Sequence, residues 1–455
     1  MGGDAVEKVK IKTVLDGYSK TMGAIRIPDS AGDAMDRDTA DRIRLLFSDV
    51  TDYRVGGRTK YPIREILLVT FTSVLCGYTD YEEIAEFGRA KIRFFKKIYP
   101  FSNGICSHDT FRRAISLINT SSLQKSTVEI LEDFMDCIGE ALGGGGPDSS
   151  GSGADGGGAP GQLRQYCVDG KANTGTGRCH GTEKEKRNLQ TLNIYDRSSG
   201  ICICSVPIPE KTNEIPESQR LLSMMDLKGC LITFDAMNTQ KKTCQVIKER
   251  KGHYIGGLKE NQPGLLADAR DSFTEEAIKK CGSKPGKNYL KTTEKMHSQI
   301  ETRHYYRVDA WHEPSGKDDV WQGLRSFVMV RKECESLITS RKSTETRYYI
   351  SDLTDISVLA DGIRGHWSVE NCLHFSLDYT MNQDKDTTTD KKADLHMGMI
   401  KKMALSIIRL AKPMLGNKSL KLTGKMIGMD VERVMPAIFM SLSRESIRKA
   451  LSCVE

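Results

Sequence analysis

Residues 188–208 read NLQTLNIYDRSSGICICSVPI. Leu189, Leu192 and Ile194 stand among polar neighbours, the alternation of a half-buried strand, and 200–208 forms a second strand. Asp196-Arg197-Ser198-Ser199-Gly200 between them supplies a hairpin turn. Upstream, a short apolar run over 165–168 ends in Asp169-Gly170-Lys171. Downstream, 216–227 fits a helix, and GCLITF over 229–234 is a buried strand ending at Asp235. A Lys-rich helix over 240–250 and a strand over 253–258 follow, closed by Lys259-Glu260-Asn261-Gln262-Pro263. The order is β-β-β-α-β-α-β. It predicts an α/β fold, a mixed sheet flanked by helices on both faces.

Beyond Pro263 the alternation pauses. Residues 264–280 read as helix, and 301–311, 325–331 and 346–353 as three strands, a β-rich insertion over about 264–355. A long helix over 358–380 and a second over 390–410 complete this part. The chain before it is helical. Tyr61-Pro62-Ile63 opens a segment whose Ile66, Leu67, Val69, Val74 and Leu75 give an apolar face. Ser107-His108-Asp109-Thr110 precedes Phe111, Ile115 and Ile118, with Arg112 and Arg113 between and Ser107 or Asp109 as the cap. Such a basic capped segment suits a DNA-binding bundle, and a plain helical domain reads the same way. From 143 to 161, ten of nineteen residues are Gly, too few apolar groups to pack, so a flexible linker is expected. The predicted organisation is a loose arm (1–39), a helical N-terminal domain (40–142), the linker (143–162), the sheet-bearing domain (163–412) and a helical tail (413–455).

The length of 455 residues suits two or three domains, and 38% hydrophobic residues exclude general disorder. Lys plus Arg at 67 against Asp plus Glu at 60 leaves +7, a balance that permits a nucleic-acid partner without demanding one. No apolar run reaches the roughly 18 residues that span a bilayer, and the first 20 residues lack a signal-peptide core. A soluble, cytoplasmic protein is expected. Thirteen Cys with no Cys-x-x-Cys pair argue against zinc fingers and a disulfide framework.

The carboxylates carry the chemistry. An Asp after four or five apolar strand residues is unusual, and in helix-covered sheets functional groups gather at strand ends. Asp169 and Asp235 both sit there. On neighbouring strands they would repel, unless a hard divalent cation, Mg²⁺ or Mn²⁺, lies between them. A third acid is Glu370, in His366-Trp367-Ser368-Val369-Glu370-Asn371. Helical spacing sets Ile363, His366, Trp367, Glu370, His374 and Leu377 on one stripe, which faces the core with Glu370 on a metal, or is half exposed with its polar groups in water. A zinc site from His366, Glu370 and His374 would spread its ligands over about 12 Å of helix. No nucleophile elbow is present, and Gly175-x-Gly177 is too sparse for a phosphate loop. Lys171, Arg178, Lys184, Lys186 and Arg187 follow Asp169, several Lys follow Asp235, and Lys259 and Arg364 lie near the remaining motifs. Each group alone reads as a solvated face; around clustered acids they suit a polyanion.

Together the motifs resemble a known family. Val168-Asp169-Gly170-Lys171, Lys211-Thr212-Asn213-Glu214-Ile215-Pro216, Thr233-Phe234-Asp235-Ala236-Met237-Asn238, Leu258-Lys259-Glu260-Asn261-Gln262-Pro263 and Arg364-Gly365-His366-Trp367-Ser368-Val369-Glu370-Asn371 occur in this order. From about 42 to 412 the chain resembles the ISAs1-type DDE transposases, which include the H-repeat-associated proteins. The resemblance implies an RNase H-like fold, with Asp169, Asp235 and Glu370 as catalytic acids holding two Mg²⁺ or Mn²⁺ ions. It implies cleavage of transposon-end DNA and strand transfer into target DNA, with a homodimer on the DNA. Lys171, Lys259, Arg364, His366, Trp367, Asn371, Arg112 and Arg113 are the expected DNA-binding residues. Leu377 stands where the family carries a basic residue about seven positions after the Glu, and the Gly-rich linker is longer than usual. Two rival readings share these motifs: a transposase-derived DNA-binding protein without catalysis, and a metal-dependent nuclease that cuts without joining.

Overall fold

The computed structural model describes residues 27, 35–54, 59–141, 163–177, 188–296, 298–312, 320–386 and 388–441. The Gly-rich linker, most of the N-terminal arm, Arg178, Lys184, Lys186, Arg187 and residues 442–455 of the tail lie outside the described residues. No described helix is long and apolar enough to cross a membrane.

Among the described residues six helices come first: α1 (Arg37–Leu45), α2 (Ile63–Leu75), α3 (Tyr81–Ala90), α4 (Ile92–Phe95), α5 (His108–Ser116) and α6 (Thr120–Ala141). Short polar side chains define their starts. Asp80 and Glu83 form a capping box at α3, and Ser107, rather than Asp109, caps α5 by accepting from the Thr110 N–H. Every residue of α2 except Arg64 is buried, which makes it the centre of this group.

The sheet begins with β1 (Arg164–Asn173), β2 (Leu189–Asp196) and β3 (Ile201–Pro207). Then come α7 (Glu214–Met224), β4 (Cys230–Phe234), α8 (Lys241–Glu249) and β5 (His253–Leu258). These five strands lie in the order β3-β2-β1-β4-β5. β1, β4 and β5 are parallel, and β2 runs antiparallel to both β1 and β3. This is the RNase H-like arrangement.

The insertion differs from the sequence reading in two ways. Its helical part is split into α9 (Pro263–Asp271) and α10 (Glu275–Gly282), because Thr274 starts a new helix as its N-cap. Among the described residues its strands number four, β6 (Tyr289–Met296), β7 (Gln299–Asp309), β8 (Ser326–Ser336) and β9 (Lys342–Ser351). β9 pairs antiparallel with β5, so the insertion extends the central sheet to nine strands with β6 at the far edge. The missed strand, YLKTTEKM, is an edge strand, where charge protects an open ladder and weakens the apolar signal.

After β9 the chain forms α11 (Ile356–His366), a π-helical turn (Val369–His374), α12 (Phe375–Tyr379), α13 (Lys391–Ala411), α14 (Leu420–Met429) and α15 (Val431–Ser441). The expected single helix over 358–380 is therefore interrupted by one wide turn. α11 covers one sheet face through Ile356, Leu359, Ala360 and Ile363, packed on Leu231, Ile255 and Val328. On the other face Val168, Leu192, Ile232 and Phe234 share a core with Leu222, Cys244 and Leu266 of α7, α8 and α9. α13 is buried almost throughout, between β3 and the helices α2, α5 and α6. One core joins it to the N-terminal helices.

Candidate active site

Strand alternation decides where the two Asp residues point. In β1, Tyr166 and Val168 enter the core under α7 and α8, while Cys167 turns towards α11, its Sγ 3.6 Å from the Gly365 carbonyl. Asp169 continues the Cys167 face, within β1 rather than at its end as the sequence suggested, because pairing with β2 carries the strand on to Asn173; what ends at Val168 is the parallel pairing with β4. In β4, Ile232 and Phe234 join the same core as Val168, and Thr233 meets His366 Nδ1 at 3.2 Å on the α11 side. Asp235 continues the Thr233 face. The parallel register pairs Val168 with Phe234, so the next residue on each strand is the Asp, and the two stand side by side.

Glu370 arrives from the helix above. α11 lies close to the sheet because Gly362 lacks a Cβ, which would fall 2.6 Å from Ile255 Cδ1 and 2.9 Å from Leu231 Cδ2. The wide turn then places Val369, Leu373 and Leu377 inward and leaves Glu370 exposed. Of the two readings of this stripe, the half-exposed one holds: Ile363 and Leu377 are buried and Glu370 is exposed, and a turn closed by a bond from the Phe375 N–H to the Glu370 carbonyl breaks the 3.6-residue period. His374, in the same turn, reaches down to Asp169, with Nδ1 3.7 Å from Oδ2, and lies 3.4 Å from Asn193 Nδ2.

A fourth acid belongs to this group. Glu214, buried at the first turn of α7, accepts from Asn238 Nδ2 at 3.0 Å. The same amide is 3.4 Å from Asp235 Oδ1, which also accepts from the Asn238 backbone N–H at 3.1 Å. A Cβ on residue 170 would collide with the Glu214 carboxylate, so Gly170 is what admits it beside Asp169. Sequence reasoning passed over Glu214 because an acid at a helix N-terminus ordinarily serves the helix dipole. Its signal was the stretch containing Asn213, which caps α7.

Charge crowding is visible in the protonation equilibria. Burial, then the charges of Asp235 and Glu214, and last Glu370, push the Asp169 carboxyl up to about 7. Burial and Asp235 push Glu214 up to about 7 as well. Burial pushes His366 down to about 4 and His374 down to about 3, so both are neutral near pH 7. All-oxygen donors whose mutual repulsion is uncompensated suit a hard divalent cation such as Mg²⁺ or Mn²⁺. Among the described residues, no three His, Cys, Asp or Glu side chains already form a closed metal cage. The zinc reading of His366, Glu370 and His374 gains nothing, since His366 turns to Thr233 and His374 to Asp169.

The expected DNA-binding residues fall into two sets. Lys259, just beyond β5, and Asn371, beside Glu370, are exposed. Arg112 and Arg113 lie on the outer face of α5, Arg112 3.4 Å from Asp109. The others are engaged inside the protein. Lys171 is 8% exposed at its side chain, with Nζ 2.8 Å from the Asp378 carboxylate and 3.5 Å from Asp384. Arg364 binds Glu294 of β6 at 3.1 Å, and the Arg347 guanidinium lies 4.8 Å from the centre of the Trp367 ring. For Lys171 this corrects the sequence picture of an open cation: its partner, 207 residues away, could not be read from local sequence.

Five strands in the order 3-2-1-4-5, with one Asp in the first strand just beyond its parallel pairing, one directly after the fourth and a Glu in the turn after α11, define a class of nucleic-acid-processing domains. The comparisons with known proteins agree. The family described as "Transposase DDE domain" matches residues 159–407, and the one described as "DDE_Tnp_1-associated" matches residues 45–129. The chain belongs to the transposase DDE domain family. "Putative transposase YncI" of Escherichia coli O157:H7 is 29% identical over 81% of this chain and 87% of its own length. "H repeat-associated putative transposase YhhI" of Escherichia coli K12 is 29% identical over 74% of this chain and 82% of its own. The "Uncharacterized protein in dhlA 3'region" of Xanthobacter autotrophicus is 30% identical over 65% and 88%. Among solved structures, a piggyBac transposase synaptic complex with hairpin DNA aligns over 97% of this chain and 82% of that one. Its TM-score of 0.40 and identity of 12% are too low to carry an argument about fold or function.

Proposed function

We propose that this chain cuts DNA at transposon ends and joins the freed strand to target DNA, by in-line displacement at a phosphodiester. The observation that carries the reading is the pair Asp169 and Asp235 at adjacent positions in register, with Glu370 near enough for its charge to bear on Asp169. Asp169, Asp235 and Glu370 would hold two divalent ions, which when bound supply activation of the attacking hydroxyl and stabilisation of the leaving oxygen.

The chain's own groups do the positioning. The β1–β4 register fixes the spacing of the two Asp residues. Asn238 ties Asp235 to Glu214. Lys171 of β1 grips Asp378 of α12, and so draws the Glu370 turn down onto the strand that bears Asp169. His374, neutral, stands over Asp169 without adding charge. Lys259, Asn371, Arg112 and Arg113 remain as contacts to the DNA backbone. Arg364, His366 and Trp367 serve to seat α11. Two ends cut in concert call for two copies of the chain, so a homodimer on the DNA belongs to the proposal.

The test uses DNA carrying the inverted repeats that flank the gene, with Mg²⁺. Asp169→Asn, Asp235→Asn and Glu370→Gln should each lower cleavage by roughly a thousandfold, the several kcal/mol of metal-assisted catalysis. Binding in a mobility-shift assay should change little. Full cleavage by any of the three sinks the assignment. Pre-nicked ends then separate joining from cutting alone: joined products are expected, and hydrolysis without them would leave a nuclease.

A further inference from the structure

Phe375 and Tyr379 form a stacked aromatic pair on the surface, with ring centroids 5.4 Å apart and planes 8° from parallel. They are 60% and 59% exposed, although the same short helix buries Ser376 and Leu377. Their position follows from the wide turn. The Phe375 N–H bonds to the Glu370 carbonyl, so Phe375 stands one turn above Glu370. Tyr379 is four residues further, one more turn along. Glu370, Phe375 and Tyr379, all exposed, thus ascend one helical rod. Asp378, between the rings in sequence, turns away to Lys171.

Beyond the rings the surface is cationic. The Lys421 ammonium of α14 lies 5.2 Å from the centre of the Tyr379 ring. Lys418, Lys421 and Lys425 are exposed, and residues 416–429 contain no Asp or Glu. Flat apolar rings rimmed by ammonium groups complement a ligand with a flat face and a phosphate backbone. We propose that Phe375 and Tyr379 are a stacking platform for an unpaired nucleobase of the DNA strand led to Glu370. This rests on the DNA-cutting reading above and adds a subsite to it. A base stacks there by its π-face, so the platform tolerates any sequence, and Lys421 neutralises the adjoining phosphate.

The test is direct binding with the full chain carrying Asp169→Asn, so that no cleavage is required. The probes are a fluorescein-labelled oligothymidylate and a blunt duplex. Phe375→Ala and Tyr379→Ala should each weaken single-strand binding roughly tenfold, with duplex binding nearly unchanged. Phe375→Trp and Tyr379→Phe should retain it, since the ring and not the hydroxyl is what stacks. Melting temperatures of these surface variants should match that of the parent. Equal loss on both probes, or wild-type single-strand binding by the Ala variants, overturns the platform. So does a change of oligomeric state by light scattering without a change in single-strand binding, which would make the pair a contact between copies. If wild-type protein fails to cleave while the rings still govern single-strand binding, the cutting reading falls and the platform stands.

Discussion

Glu214 sits where a side chain on residue 170 would otherwise be, and this packing fixes the local charge. Gly170→Ala should expel the carboxylate, and Glu214→Gln should keep its shape while removing its charge. Both should weaken Mn²⁺ binding by roughly 10- to 100-fold in calorimetric titration, the usual cost of losing a supporting partner at a metal site. Unchanged affinity in both would reduce Glu214 to a structural acid. Asp169 gives a pH prediction. Its folded-state value, about 7, lies above the ordinary 3.8, so the folded protein holds this proton more tightly than the unfolded chain does. The associated stability is fully present below pH 3.8, declines as pH rises and is gone above 7. Asp169→Asn escapes that loss. In chelator it should melt above the wild type at pH 8, with an upper limit of ~4 kcal/mol, and the gap should close towards pH 4. Mg²⁺ should raise the melting temperature of the wild type and not of the variant. A variant less stable than the wild type at pH 8 contradicts this. Asp169 and Asp235 were legible in the sequence, because an Asp that ends a run of apolar strand residues adds nothing to packing and weakens the strand it follows or interrupts. Glu214 and Lys171 were not, because their partners are remote in sequence and each residue type is common on surfaces.

α11 and its continuation show how elements transmit position. Gly362 lets the helix settle on Leu231 and Ile255, and the helix carries Glu370 with it. Gly362→Ala should lift α11, costing about 1–3 kcal/mol by overpacking and lowering cleavage because the Glu370 turn moves. Gly264→Ala in α9, where a Cβ would meet nothing within 4 Å, should instead be neutral or stabilise by about 0.5 kcal/mol. Thermal melts of the two variants, read beside cleavage rates, separate close approach from general glycine effects; equal melts would remove the packing argument. The succession of elements from β1 to β5 was legible, since an obvious hairpin precedes alternating helix and strand; their order in the sheet came only with the structure. The wide turn was not, because residues 358–380 carry an apolar pattern that a regular helix satisfies almost as well. The insertion was half legible. The outer stretches of β8 and β9, such as Arg331-Lys332-Glu333 and Lys342-Ser343-Thr344-Glu345, are held by ladder pairing rather than by burial, so composition argued against them.

At the scale of the molecule, the Gly-rich stretch marks a covalent joint and not a division between cores. α13 presents buried apolar residues all round, Leu395, Met397, Ile400 and Leu405 among them, and such a helix needs partners on every side. It has β3 on one side and α2, α5 and α6 on another. Its buried polar groups are matched by partners in β1, β3 and the loop before it. Asn173 donates to Asp394 at 2.6 Å, Lys402 to Ser205 at 2.6 Å and Lys401 to Asp386 at 3.0 Å. His396 lies 2.8 Å from Thr120 Oγ1 and 2.7 Å from the Ile115 carbonyl, a polar tie to the N-terminal helices. Removing those helices would leave both the apolar face and His396 without partners, a cost for buried polar groups of about 1–3 kcal/mol each. The joint itself should be dispensable. With a protease site placed within 143–161 and cut after folding, the two fragments should elute together at the mass of the intact chain, melt within a few degrees of it and part only in denaturant. The same N-terminal and C-terminal pieces produced separately should be poorly soluble until mixed. Fragments that part on cutting in native buffer, each keeping its own cooperative melt, would mean that the shared core contributes little and that the helices before the joint are an independent domain.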